Sequence, residues 1–233
     1  MTPAVIETIK TISILSVLGP LALYILKIKQ LPRENQVVGV LVVISAITEV
    51  IIAVQVYANK VTATVTNLYF LCAFIVLCFY YYEVVFKFRS KLYFASGLTI
   101  YLLSFLLVVF IKGINVFHGE LWALTGLILV IFGIMYNNYQ VEKPPLLDKN
   151  LYSGLIFNAA IMFYFSFNFF LFLIANYVLT ELSAEMARMA WAFHNVNNII
   201  KNIAFAFGFY YTNRRRVNLT AEEVERIQWK NLR

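Results

Sequence analysis

The sequence predicts an all-α fold, a bundle of seven membrane-spanning helices. Three observations predict it. Of the 233 residues, 61% are hydrophobic and only 13% are charged, whereas a soluble domain carries about 25% charged residues. Seven apolar runs each reach the roughly 20 residues a helix needs to cross a bilayer. The cationic residues gather in the short segments between those runs, alternating from one side to the other. A net charge of +7 placed this way serves topology and gives no ground for a nucleic-acid partner. The partner it implies is the lipid bilayer.

The runs fall at 8–28, 37–58, 63–86, 92–111, 116–138, 151–179 and 185–212. In run one, Pro20 follows Gly19, and a proline lacks the N–H that continues a helix, so a kink is expected there. Lys27, Lys29 and Arg33 follow run one, and Lys87, Arg89 and Lys91 follow run three. Lys143 and Lys149 follow run five, and Arg214, Arg215, Arg216, Arg226, Lys230 and Arg233 close the chain. Only Lys10, Lys60, Lys112 and Arg188 fall on the other side. The positive-inside rule then puts the N-terminus outside and the C-terminus in the cytoplasm.

Short connections make consecutive helices antiparallel neighbours. The longest connection, Asn137 to Asn150, carries Pro144 and Pro145 and is expected to be extended and cytoplasmic. Run three contains both cysteines, Cys72 and Cys78. On one helix they lie about 9 Å apart along the axis and cannot bridge each other. Glu83 and Lys87 near its end are spaced for an i,i+4 pair. Run six carries Phe163, Phe165, Phe167, Phe169, Phe170 and Phe172, which read as packing and lipid-facing rings or as a wall for an apolar ligand. The chain thus divides into a transmembrane domain, 1–212, and a basic cytoplasmic tail, 213–233. Thr220 to Glu223 in the tail form a capping box. A short amphipathic helix should follow, and Arg214, Arg215 and Arg216 ahead of it suit anionic lipid.

The organising stretch is run seven. At roughly 100° per residue, His194, Asn195, Asn198, Lys201 and Asn202 fall within an arc of about 120°, and Trp191 extends the stripe. Polar groups are costly in hydrocarbon, so this face should look into protein. Glu49 in run two and Lys201 in run seven each lie about 12 residues from the cytoplasmic end of their runs and have opposite charge. A lone buried charge is expensive. The expectation is that the two pair, with runs two and seven packed together or facing a common cavity, as an ion, proton or ligand site or as a structural pair. His118, Glu120 and Arg188 mark a candidate outer cluster. Asn67, Asn158 and Asn168 are further amides of the type that hydrogen-bond between helices.

The two histidines have no aspartate within the membrane to complete a metal set. P-loop, GxSxG and HExxH signatures are absent, so no enzyme activity is expected, and no motif names a cofactor.

Seven helices with Lys201 in the last resemble the outline of the retinal-binding rhodopsins, where such a lysine carries the Schiff base. The chain departs from that family because Glu83 in run three lies at the wrong depth for a counterion. A second resemblance rests on Trp191-x-x-His194-x-x-x-Asn198-Ile199-Ile200-x-Asn202-Ile203, on Asn67-Leu68-Tyr69 and on Glu83. It is to small uncharacterised seven-helix bacterial membrane proteins, similar in style to the seven-helix sensory regions of some histidine kinases. That resemblance implies a receptor-like sensor or signalling accessory in a bacterial inner membrane, passing its signal to a separate partner. The sequence leaves two other roles open: a transporter or channel using Glu49 and Lys201, and a structural subunit of a membrane complex.

Overall fold

The computed structural model describes residues 2–88, 90–142 and 149–212, without the side chains of 149–151. The described residues are helical and contain no strand. The chain opens with α1 (Pro3–Ser16) and α2 (Leu18–Lys27), which meet at Val17. The cause of the break is local. Pro20 has no N–H to bond the Ser16 carbonyl one turn back, and the ladder resumes only where the Leu21 N–H reaches the Val17 carbonyl at 3.2 Å. A 3-10 turn, Ile28–Gln30, leads to α3 (Arg33–Tyr57), whose N-cap is Pro32. Next come α4 (Ala63–Tyr81), continued by a π-helical turn at Tyr82–Phe86, and α5 (Lys91–Lys112). Gly113, with φ +79°, stops α5 in a conformation that disfavours a side chain.

The second half contains α6 (Gly119–Glu142), α7 (Lys149–Leu173), α8 (Ala175–Thr180) and α9 (Ala184–Tyr211). The Ser183 hydroxyl caps α9 by accepting from the Met186 N–H at 3.3 Å. Two expectations are corrected. Run six is not one helix, because it breaks at Ile174 between α7 and α8. The connection after run five is shorter than 137–150, because α6 continues to Glu142 and α7 begins at Lys149. Pro144, Pro145 and the tail from 213 onward, with Arg214, Arg215 and Arg216, lie outside the described residues.

Among the described residues, six helices are long and apolar enough to cross a membrane: Pro3–Gln30, Arg33–Tyr57, Ala63–Phe86, Lys91–Lys112, Gly119–Glu142 and Tyr152–Leu173. The longest helix, α9, has 28 residues but is not among the six. The string from His194 to Asn202 makes it too polar.

The helices form a ring. The α1–α2 pair packs on α3 and on α9, α3 packs on α4, α4 on α6, α6 on α7, and α7 on α9. Outside this ring, α5 leans on α4 and α6 and exposes Leu103, Leu106, Leu107, Phe110 and Ile111. Aromatic rings fill the centre. Phe70 of α4 stacks on Trp122 of α6 at 3.5 Å, and Phe172 of α7 meets both edge-on at 5.7 and 5.0 Å.

One end of the bundle is basic and tied together. Arg33 and Lys87 both reach Glu83, each at 3.3 Å. The Asn35 amide donates to the Ser153 hydroxyl at 2.8 Å and to the Thr212 hydroxyl at 2.9 Å, which sets α3, α7 and α9 at a common level.

Candidate functional site

The stripe on α9 faces inward. Its opposite side presents Phe193, Val196, Ile200, Ile203 and Phe207, all exposed and spaced by three or four residues. That is the spacing of one apolar helix face, so the outer surface of α9 matches that of its neighbours despite the polar string behind it.

Two asparagines of the stripe clasp the first helix. The Asn198 amide donates to the Ser13 hydroxyl at 3.0 Å, and the Asn202 amide to the Ser16 hydroxyl at 2.8 Å. Serines three apart in α1 thus meet asparagines four apart in α9. Farther from the basic end, His194 Nδ1 donates to Asn168 Oδ1 at 3.2 Å, and the same oxygen accepts from Asn197 at 3.4 Å. The imidazole sits among the rings of Trp191, Tyr164 and Phe172, at 5.5, 5.8 and 5.6 Å. Asn195 is half-buried.

Lys201 is 8% exposed. Its ammonium lies 4.5 Å from the centroid of the Tyr164 ring, a cation–π contact. Among the described residues it has no hydrogen-bond acceptor and no carboxylate within 4.0 Å. It borders a cavity of about 20 Å³, walled by Tyr69, Phe70, Tyr164, Phe165 and Phe205 among others. That space suits about one water molecule. It is an order of magnitude below the roughly 300 Å³ of the smallest ordinary ligand pockets, so a retinal-sized polyene does not fit beside Lys201.

The direct Glu49–Lys201 ion pair expected from the sequence does not form. Helix α3 begins at Arg33 rather than near 37, so Glu49 lies deeper than its run suggested. From the level of the Asn35–Thr212 bond, Glu49 is 14 residues along α3 and Lys201 is 11 residues back along α9 (49 − 35 and 212 − 201). At 1.5 Å per residue the offset is about 4–5 Å. The two charges still interact coulombically. The hydroxyls of Ser45 of α3 and Tyr69 of α4 bond at 2.9 Å. Ser45 is one turn from Glu49 on α3, and Tyr69 walls the Lys201 cavity. A hydrogen bond thus ties α3 to α4 beside the Lys201 cavity. The half-buried Glu49 borders a groove between α1–α2 and α3 as well.

The outer cluster assembles with a different cation. His118 Nδ1 is 3.8 Å from Glu120 Oε1, and Lys112 forms an ion pair with that same oxygen. Asn176 approaches the other carboxylate oxygen at 3.4 Å. Arg188 is exposed and makes no ion pair among the described residues, so Lys112 takes the place assigned to it. Among the described residues no three His, Cys, Asp or Glu side chains gather as a metal set.

Sequence reasoning missed Ser13, Ser16, Ser45 and Tyr164, and it took Tyr69 only as part of a resemblance and not as a site residue. The serines had a usable signal, since two hydroxyls on one face of an apolar helix need partners. Tyr69 and Tyr164 had none, because an aromatic residue in an aromatic-rich run looks like packing. At the basic end the Lys27 ammonium donates to the last carbonyls of α9, Phe209 at 3.2 Å and Tyr210 at 2.6 Å. A cation there suits the negative end of a helix dipole.

Comparison with protein-family models, curated proteins and solved structures returned no match. The site is therefore read from its own geometry.

Proposed function

We propose that this chain is a seven-helix integral membrane protein, with α9 as the seventh crossing, that senses a ligand or proton at the inward face of α9. In this reading the N-terminus is outside, the C-terminus is cytoplasmic, and a separate protein partner receives the signal. One observation carries it: a buried lysine whose ammonium has no acceptor among the described residues and borders a space for about one water molecule. An ionised group in an apolar interior without a partner is costly, and intramembrane charges mark functional sites by default. The apolar outer face of α9 and its length, about 42 Å at 1.5 Å per residue, support the seventh crossing.

The response follows from two packings of α9. A ligand or proton that changes the charge balance between Lys201 and Glu49 shifts α9 against α1 and α3. Lys27 holds the last carbonyls of α9, so the shift reaches the basic end and the tail that follows it.

The test is complementation of a deletion strain with Lys201→Met and His194→Ala, alongside flux measurements in liposomes. The reading expects both variants to lose the phenotype and the wild-type protein to show no flux. Full complementation by both sinks the site. Flux that requires Lys201 and Glu49 replaces sensing with transport.

A further inference from the structure

The groove that Glu49 borders is lined by apolar side chains of α1–α2 and α3. It encloses about 500 Å³, within the roughly 300–1,000 Å³ of small-molecule sites. Val17, Leu21, Ala46 and Ala53 contribute to its walls. Leu15, Leu18, Ile47, Val50 and Ile51 also line it and are exposed, so the groove opens sideways on the surface that faces lipid in the membrane reading. It lies beside Val17, where the first helix breaks. Glu49 is its one charged wall residue, and among the described residues it has neither an ion pair nor a hydrogen bond.

An apolar slot with a single carboxylate selects a molecule with an apolar body and a single cation. We infer that this groove is a binding site for a lipophilic amine, which enters from the bilayer, places its ammonium on Glu49 and lays its alkyl chain along Leu15, Leu18 and Ile47. A lipid acyl chain alone would leave the carboxylate unmatched. A fatty acid would set two anions together. An alkyl alcohol would gain only a neutral hydrogen bond, weaker than one assisted by charge. The inference rests on the membrane reading above and names the ligand class for its sensor. An ammonium on Glu49 removes the counter-charge that Lys201 feels.

The test uses the full chain in lipid nanodiscs with dodecylamine, dodecanol and dodecanoate as probes. Thermal unfolding is followed for the wild type, Glu49→Gln, Ala46→Phe and Lys201→Met. Partitioning of each probe into lipid is common to all four proteins and cancels. The expected result is a rise in melting temperature with dodecylamine beyond that with dodecanol, and none with dodecanoate. The excess should vanish in Glu49→Gln and in Ala46→Phe, which fills the groove, and persist in Lys201→Met. Equal shifts for amine and alcohol, or an amine effect that survives Glu49→Gln, overturn the inference. So does cross-linking of Ile51→Cys between copies that blocks all three probes, because the groove is then a self-association face. An absent amine effect together with a lost Lys201→Met phenotype defeats this inference alone. An amine effect with full complementation by Lys201→Met and His194→Ala defeats the sensor reading alone.

Discussion

Among the polar groups buried between helices of this bundle, Asn158 and Lys201 are treated in opposite ways. Asn158 of α7 accepts from the Tyr81 hydroxyl at 2.8 Å and donates to the Gly133 carbonyl at 3.2 Å and to Asn137 Oδ1 at 2.8 Å. It joins α4, α6 and α7, and its amide is fully used. Lys201 of α9 has only a ring face and a cavity of about 20 Å³. The α4–α6–α7 side does hold an unpaired neutral group, the Trp122 N–H. A neutral orphan costs far less than an ammonium. The lesson of the pair is that satisfied polarity fixes helices against each other, while unsatisfied charge leaves room for something to arrive. The two sides differ in packing as well. Stacked rings close one side, and grooves run along the side where the first helix breaks.

The sharpest way to break this comparison is Phe172→Ala. The ring is fully buried against Phe70, Trp122 and His194, and its loss should cost about 3–5 kcal/mol in reversible unfolding. Leu18→Ala, on the groove wall, should cost a small fraction of that. Equal losses would mean the two sides are packed alike. Asn158→Leu comes next, at about 1–3 kcal/mol, because it orphans the buried Tyr81 hydroxyl. Lys201→Met points the other way: replacing a buried charge with an apolar chain should leave stability unchanged or raise it by about 1 kcal/mol. A large loss there would reveal an acceptor that the ammonium already has. Glu49→Gln combined with Lys201→Met should be non-additive, since the two charges feel each other; simple additivity in a double-mutant cycle would uncouple them. The smallest effect belongs to Asn202→Ala, at about 0.6 kcal/mol for one interhelical bond to Ser16.

Much of the candidate site's inward face was legible in the sequence. His194, Asn198, Lys201 and Asn202 share a helix face by spacing alone, and hydrocarbon leaves such a face only one direction to turn. The kink at Pro20 was legible for an equally local reason, the missing N–H. Lys201's lack of a partner was not legible. That depends on the level of α3 against α9, which the bond between Asn35 and Thr212 sets, and on α3 starting four residues earlier than its apolar run. Nor was the substitution of Lys112 for Arg188 beside Glu120, because the loop that returns Glu120 to the end of α5 is a matter of chain path. The break at Ile174 carries no proline or glycine and left no mark that periodicity could detect.

By itself, then, the amino-acid sequence supplied grounds for the helical class, for seven apolar runs, six of which are helices long and apolar enough to cross a membrane among the described residues, and for the polar face of α9. All three follow from properties that repeat along one helix: length, hydropathy and a period of about 3.6 residues. Tertiary structure alone decided which serine meets which asparagine, that α5 lies outside the ring, and that Glu49 borders a groove while Lys201 borders a separate cavity. Those outcomes depend on axial register and rotation between helices. Packing of whole surfaces sets them, and no single segment encodes them.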